Sequence, residues 1–226
     1  MAKHIWLWFA AAMTAMTAMT AGCLQRDVTE TWYLDGLTAS VTWSVLEDHV
    51  RSDIRDAVER DNEESTFVLA ARRDNHPVAR GFVQLGFSTP RSRILRDAVP
   101  YSVLTESSAA RIDVVGQRLL LGLSLSGTST LTKNGSTWEW TLTVRKPSTD
   151  DNLREPDDDV SALIGELDAL TVILSAGRFD AATGFTLSGD HRAAKIVSVD
   201  EDPSDNANPT ADAGALVFRL RWTTGG

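Results

Sequence analysis

Reactive side chains are scarce in this sequence. Its 226 residues include one cysteine, Cys23, and four histidines, of which His49, His76 and His191 lie beyond the N-terminal segment. A serine-hydrolase triad needs a nucleophile held on a strained turn beside its base, and the sequence contains no Gly-x-Ser-x-Gly turn. We therefore predict no catalytic residue and no enzymatic activity.

The surroundings of the three histidines favour structural roles. His76 precedes Pro77 and His191 follows Asp190, so we interpret both as residues of surface turns. His49 ends a predicted strand, and it would indicate an enzyme only if a buried carboxylate lay beside it in a cleft.

Metal ligands in known patterns are also missing from the sequence. There is no cysteine pair, no His-Glu-x-x-His and no pair of histidines at helical spacing, which argues against zinc. The acidic loop 200–206 begins with the alternation of a calcium loop, but Asp205 stands where a glycine is required. A second acidic run, 157–159, could contribute only if the fold brings it close. We predict solvated loops, with no metal and no cofactor.

The N-terminal segment has the three parts of an export signal. A short basic start, Met1–His4, is followed by an apolar run over 5–12 and by a repeat of methionine, threonine and alanine up to Ala21. A basic region, an apolar region and a small-residue end are typical of a secretory signal peptide. The alternative is an uncleaved membrane span over 5–22, which is at the short limit for crossing a bilayer.

The signal ends in Thr20-Ala21-Gly22-Cys23, which resembles the lipobox of bacterial lipoproteins, although leucine is usual at the place of Thr20. The resemblance implies that residues 1–22 are removed and that Cys23 carries diacylglycerol, with acyl chains such as palmitate. It also implies an envelope location. In Gram-negative lipoproteins, an aspartate directly after the cysteine favours inner-membrane retention. Leu24 is at that position here, so the resemblance points to the outer membrane. We expect a tether over 23–29 and one globular domain over 30–226.

Composition and charge restrict the class of partner. Hydrophobic residues make up 42% of the chain, which is the range of folded globular proteins. The net charge of −9 excludes nucleic acid as an expected partner, because polyanion binders carry a clustered basic face. The expected contacts are the membrane, through the lipid anchor, and an envelope protein or a lipid ligand.

Alternating apolar and polar residues predict strands along most of the chain. Val41, Trp43 and Val45 alternate with threonine and serine, as in a half-buried strand. Similar patterns predict strands over 31–34, 40–46, 93–95, 101–105, 123–132, 137–144, 172–174, 185–187, 193–199 and 215–222. Helices are predicted over 53–72, 77–86, 109–121 and 160–167. Strand pairs separated by helices predict an α+β fold, in which an antiparallel sheet of several hairpins packs against three or four helices.

The clearest local element is a hairpin around Asn134-Gly135, because Asn-Gly is the preferred two-residue turn when both central residues have positive φ. Tryptophans recur on the predicted strands, and they are Trp32, Trp43, Trp138, Trp140 and Trp222. Core packing is one interpretation of these aromatics. The other is a hydrophobic cavity between sheet and helices that could hold an acyl chain.

The order Thr31-Trp32-Tyr33-Leu34, Val41-Thr42-Trp43 and Gly177–Phe185 resembles lipoproteins of Gram-negative bacteria that have no assigned activity. This resemblance implies localisation and one continuous domain, and nothing about chemistry. We therefore expect a non-catalytic envelope lipoprotein that acts through surface or structural interactions. The alternative is a carrier or sensor of a hydrophobic, lipid-like ligand.

Overall fold

β-strands in two sheets dominate the computed structural model, which describes residues 24–52, 71, 76–97, 101–145, 170–196 and 215–224. The first sheet is built from β1 (Leu24–Asp35), β2 (Ser40–Ser52), β3 (Arg91–Arg96), β4 (Ser102–Glu106), β5 (Ala110–Arg111), β8 (Thr171–Leu174), β10 (Phe185–Leu187) and β11 (Ala193–Ile196). The second is built from β6 (Gly127–Asn134), β7 (Thr137–Arg145), β9 (Arg178–Thr183) and β12 (Ala215–Thr223).

The strand order shows how distant parts of the chain meet. The first sheet runs β10-β11-β8-β1-β2-β4-β3, with β5 beside β2, and the second runs β6-β7-β12-β9. β1 pairs with β8 in parallel, and the other strand pairs are antiparallel within the described residues. At Gly184, which has φ 75°, the chain leaves β9 and enters β10, so one corner joins the two sheets.

The core lies between the sheets because each strand turns alternate side chains inward. Trp32 and Trp43 are directly opposite each other on β1 and β2, and both are fully buried. Trp140 on β7 reaches Trp32 from the second sheet, with 5.7 Å between ring centroids. The indole N–H of Trp222 donates to Gly36 O at 3.1 Å, a second link between the sheets.

Two helices among the described residues cover the core, and they are α1 (Pro77–Gln84) and α2 (Ile112–Gly122). α1 begins with proline, whose fixed φ suits a first helical residue, and Phe82 packs edge-on against Trp43 at 5.5 Å. α2 is fixed at its start by the Ile112 N–H, which donates to Ala39 O at 2.9 Å.

The α+β prediction is wrong. The described residues hold two helices rather than three or four, and the strands form two sheets, one of them with a parallel pair. The predicted helices over 77–86 and 109–121 correspond to α1 and α2. Those over 53–72 (Ala71 excepted) and 160–167 lie outside the described residues. The patterns failed because pairing between segments far apart in the chain, such as β1 with β8, leaves no local signal.

The ends of several elements also differ from the expectation. β1 begins at Leu24, so the described part of the segment predicted as a tether, 24–29, is strand. β9 was not predicted at all, since its sequence Arg-Phe-Asp-Ala-Ala-Thr has one large apolar residue.

The predicted hairpin between β6 and β7 is confirmed, but its turn is placed one residue later. Asn134 pairs with Thr137, so the central residues are Gly135 and Ser136. Gly135 has φ 60°, whereas Ser136 does not have positive φ. A type II′ turn has positive φ at its first central residue only, and glycine is usual there, whereas a type I′ turn has positive φ at both central residues. The turn here is therefore type II′.

We expect Gly135→Val to destabilise the protein more than Ser136→Val. A Cβ on Gly135 would meet no atom within 4 Å, so the cost is backbone strain alone. The left-handed region costs an L-residue about 1–2 kcal/mol, which lowers the unfolding midpoint by roughly 2–8 °C in a chain of this size. Thermal unfolding followed by circular dichroism measures both variants, and equal midpoints would contradict the turn assignment.

Candidate functional site

Two glutamates occupy core positions on the inner face of the first sheet. Glu30 lies two residues before Trp32 on β1, and Glu47 lies two residues after Val45 on β2. Alternation therefore places both on the face that carries the tryptophans. Glu30 is opposite Val45 and Glu47 is opposite Val28, which makes the glutamates diagonal neighbours, about 7–8 Å apart in ordinary sheets. Both are fully buried.

The carboxyl group of Glu30 is held by the side chain of Trp43. The Trp43 indole N–H donates to Glu30 Oε2 at 3.1 Å. Among the described residues, no group forms a hydrogen bond with the second oxygen, Oε1. Burial raises the pKa of Glu30 well above its usual 4.5, and the Trp43 bond only partly opposes this effect. Burial thus favours the neutral carboxylic acid of Glu30 over its carboxylate.

Glu47 contacts the imidazole of His76. Glu47 Oε2 and His76 Nε2 are 3.3 Å apart, and both side chains are buried. His76 is the residue directly before Pro77, where α1 begins, so the start of the helix holds the ring over β2. The prediction that His76 is a surface-turn residue is wrong, because α1 packs on the sheet and takes His76 into the interior.

Hydroxyl groups continue this buried polar region toward the sheet edge. Thr105 on β4 is fully buried, and its Oγ1 lies 3.0 Å from Ser92 Oγ on β3. Ser107 is also buried, and its Oγ accepts the Trp43 backbone N–H at 3.0 Å. We call Glu30, Glu47, His76 and Thr105 the buried polar cluster.

The buried polar cluster is closed to solvent, because all four of its residues are fully buried. A general base must come within hydrogen-bond reach of the atom that it deprotonates, and the Glu47 and His76 side chains are 0% and 1% exposed. Within the described ranges, no group of three histidine, cysteine or acidic residues is placed to hold a metal ion.

The sequence-predicted residues fall in different places. Cys23 and the acidic loops 157–159 and 200–206 lie outside the described residues. His49 is part of β2, opposite Arg26. His191 is in an exposed turn with φ 57°, and its Nδ1 lies 2.9 Å from Phe179 O, so its surface-turn prediction is confirmed.

The predicted tryptophans pack against one another. Trp32 lies edge-on between Trp43 and Trp140, at 5.7 Å from each. Trp138 stacks on Trp222 at 6.1 Å. Apart from the partly exposed Trp138, all of them are buried. The packing of these aromatics against one another agrees with the core-packing interpretation.

Sequence reasoning missed Glu30 and Glu47, and it placed the buried His76 in a surface turn. A signal for the two glutamates was present in the sequence. Each is an even number of residues from the buried tryptophan of its own strand, which places both side chains on the same face of the sheet. Glu30 is two residues from Trp32, and Glu47 is four residues from Trp43.

Comparison with known proteins finds little similarity. No protein-family model matches the chain, and no curated protein matches it. Among solved structures, the NMR structure of the folded domain of the LppM protein of Mycobacterium tuberculosis is similar at 6% identity. That similarity has a TM-score of 0.37 and covers 91% of this chain and 92% of that one; a likeness of this degree carries no inference about activity. Separately, the helices in the described ranges are all too short or too polar to cross a membrane.

We expect Glu30→Gln to remove a pH-dependent loss of stability. The folded state binds the Glu30 proton more tightly than the unfolded chain, because burial raises its pKa. The stabilisation is therefore complete below about pH 4.5, and it is lost as the pH rises toward the raised pKa. Unfolding midpoints measured from about pH 4 to pH 8 should show the variant gaining a few degrees on wild type as the pH rises.

The control for this measurement is Glu139→Gln, which changes a glutamate on the outer face of β7 near Arg219. Its midpoint should follow that of wild type at every pH. Parallel curves for wild type and Glu30→Gln would contradict the assignment of Glu30 as a buried acid.

We expect His76→Asn to destabilise the protein far more than His191→Asn. The first change removes a buried imidazole that lies 3.3 Å from Glu47, and breaking a buried polar network of this kind costs about 1–3 kcal/mol. The second retains a residue type that tolerates positive φ and should cost less than about 0.5 kcal/mol. Urea unfolding followed by tryptophan fluorescence measures both, and similar midpoints would show that His76 is not a core residue.

Proposed function

We propose that this chain is an envelope lipoprotein, held on a membrane by lipid on Cys23, whose folded body acts through its surfaces. The observation that carries the proposal is the sequence Ala21-Gly22-Cys23 at the end of an apolar N-terminal segment. Cys23 is the sole cysteine, so it has no partner for an internal disulfide. Its thiol is therefore available for lipid attachment.

The start of β1 adds a consequence to this proposal. The strand begins at Leu24, the residue after Cys23. A lipid on Cys23 would thus attach directly to a strand that pairs with β2 along its length. The membrane would then hold the first sheet by one end, so the orientation of the body would be restricted. Two or more acyl chains give stable attachment, whereas one gives only marginal attachment.

Surface action is favoured over carriage of a lipid-like ligand by the aromatic core. A carrier needs a cavity between the sheets or beneath the helices. Trp43 is instead in contact with Trp32, Phe82 and Phe87, with ring centroids 5.5–6.4 Å apart. This packing supports the proposal that a partner binds at the surface. We place the chain in the outer membrane, since Leu24 follows the cysteine.

Growth with labelled palmitate tests the anchor. We expect wild type to incorporate label and to lose residues 1–22, as seen in the mass of the mature chain. Cys23→Ser should do neither, because serine provides no thiol for the lipid.

A second variant controls for any accessible thiol. Cys23→Ser combined with Ser126→Cys keeps one cysteine in the chain and moves it to an exposed position before β6. This variant should also remain unlabelled. Label on Cys23→Ser would exclude the lipoprotein assignment, and label on the double variant would show that the reaction does not depend on the signal.

A further inference from the structure

The strand at one edge of the second sheet is built differently from the other edges. The two strand orders end in β10 and β3 for the first sheet, and in β6 and β9 for the second. Edge strands expose unpaired N–H and C=O groups, and proteins usually protect them with charge, bulges or short length. Three of these four strands carry such protection.

The protection differs from strand to strand. β10 has three residues. β3 carries Arg91, Arg93 and Arg96, and its register shifts between Ile94 and Arg96. β9 contains the ion pair of Arg178 and Asp180, and its pairing with β12 is also irregular.

β6 has none of these features over most of its length. Its eight residues, Gly127–Asn134, pair with β7 without a register shift. Lys133 is its one charged residue, and it lies next to the turn. Thr128, Thr130 and Thr132 are exposed on the outer face. Within the part of the chain that the structure describes, β6 pairs with β7 alone.

The direction of the backbone groups of β6 follows from one hydrogen bond. The Arg145 N–H donates to Ser126 O at 2.8 Å, in continuation of the β6–β7 register. Because hydrogen-bonded pairs alternate along an antiparallel ladder, the even-numbered residues of β6 bond to β7. The odd-numbered residues, from Gly127 to Lys133, direct their N–H and C=O groups to the open edge.

We propose that β6 is a dimerisation strand, which pairs antiparallel with β6 of a second copy of this chain about a twofold axis at Thr130. This register engages every outward backbone group: Gly127 with Lys133 of the other copy, and Ser129 with Leu131. The two four-stranded sheets then form one continuous sheet across the axis.

The side chains of β6 are self-complementary in this register. Thr130 faces Thr130 of the other copy, and Thr128 faces Thr132, and threonine pairs across strands are favourable. The two Lys133 side chains lie at opposite ends of the paired strands, where each is opposite Gly127. No like charges meet, whereas antiparallel pairing of two copies of β3 would bring several arginines together.

A cysteine at position 130 tests the proposal in the full-length chain. On the twofold axis, Thr130→Cys forms a non-hydrogen-bonded pair with a Cα separation of about 4.5 Å, which suits a disulfide. We expect mild oxidation of whole cells that express this variant to convert most of it into a disulfide-linked dimer, detected on a non-reducing gel. The unmodified chain is the control for disulfides that form through Cys23. The outcome of the test therefore does not depend on whether Cys23 is lipidated.

The matched control is Thr141→Cys, on the same sheet face and directly opposite Thr130 on β7. In the dimer its two copies would be three strand spacings apart, about 14 Å, which is beyond disulfide reach. Linkage at 130 well above that at 141 and in the unmodified chain supports the dimer. Equal linkage in all three overturns it.

A charge at position 130 gives an independent measurement. Thr130→Lys places two like charges opposite each other, so sedimentation of the detergent-solubilised protein should show self-association weakened by up to about fivefold. Thr141→Lys should leave it unchanged, since that side chain is one strand away from the axis. A wild-type protein that sediments as a monomer, or an unchanged Thr130→Lys, would contradict pairing through β6.

Discussion

The side chain of Trp32 contacts tryptophans of both sheets, and the rest of the structure depends on this interaction. Trp32 is opposite Trp43 within the first sheet, and it meets Trp140 from the second. Each edge-to-face pair adds about 0.5–1.5 kcal/mol beyond the burial of area. The Trp43 and Trp140 indoles are fixed in turn by bonds to Glu30 and to Ser129. This aromatic contact places side chains between the two sheets, where the alternative hypothesis put a ligand cavity.

The same sheet face changes character along β1, from aromatic around Trp32 to polar at Glu30. Burying a carboxyl group costs free energy unless it stays neutral or is paired. Burial favours the neutral form of Glu30, and Glu47 has His76 beside it. The aromatic half of the face holds the second sheet, and the polar half lies beneath the start of α1. A rise in pH therefore lowers the stability of the part of β1 that is closer to the proposed anchor. The tryptophans that hold the second sheet carry no titrating group.

Local signals in the sequence predicted local structure and little beyond it. Pro77 identified the start of α1, and Gly135 identified the β6–β7 hairpin, because backbone restrictions act within a few residues. The alternation through Trp43 identified β2. The parallel pairing of β1 with β8 and the passage from β9 to β10 at Gly184 depend on contacts between distant segments, so the two-sheet fold was missed. The burial of His76 depends on how α1 packs, which is also a tertiary property, whereas the phase of Glu30 with Trp32 was visible in the sequence.

Mass spectrometry of the protein extracted from its own membranes tests the central claim most directly. The claim is that lipid is attached covalently at Cys23 and that the interior holds no lipid-like ligand. The denatured chain should have the mass of the polypeptide from Cys23 plus diacylglycerol and acyl groups. The native mass should equal that value, or twice that value for a dimer, with nothing further bound. A denatured chain without added lipid, or a native mass that includes a stoichiometric hydrophobic molecule, would contradict it.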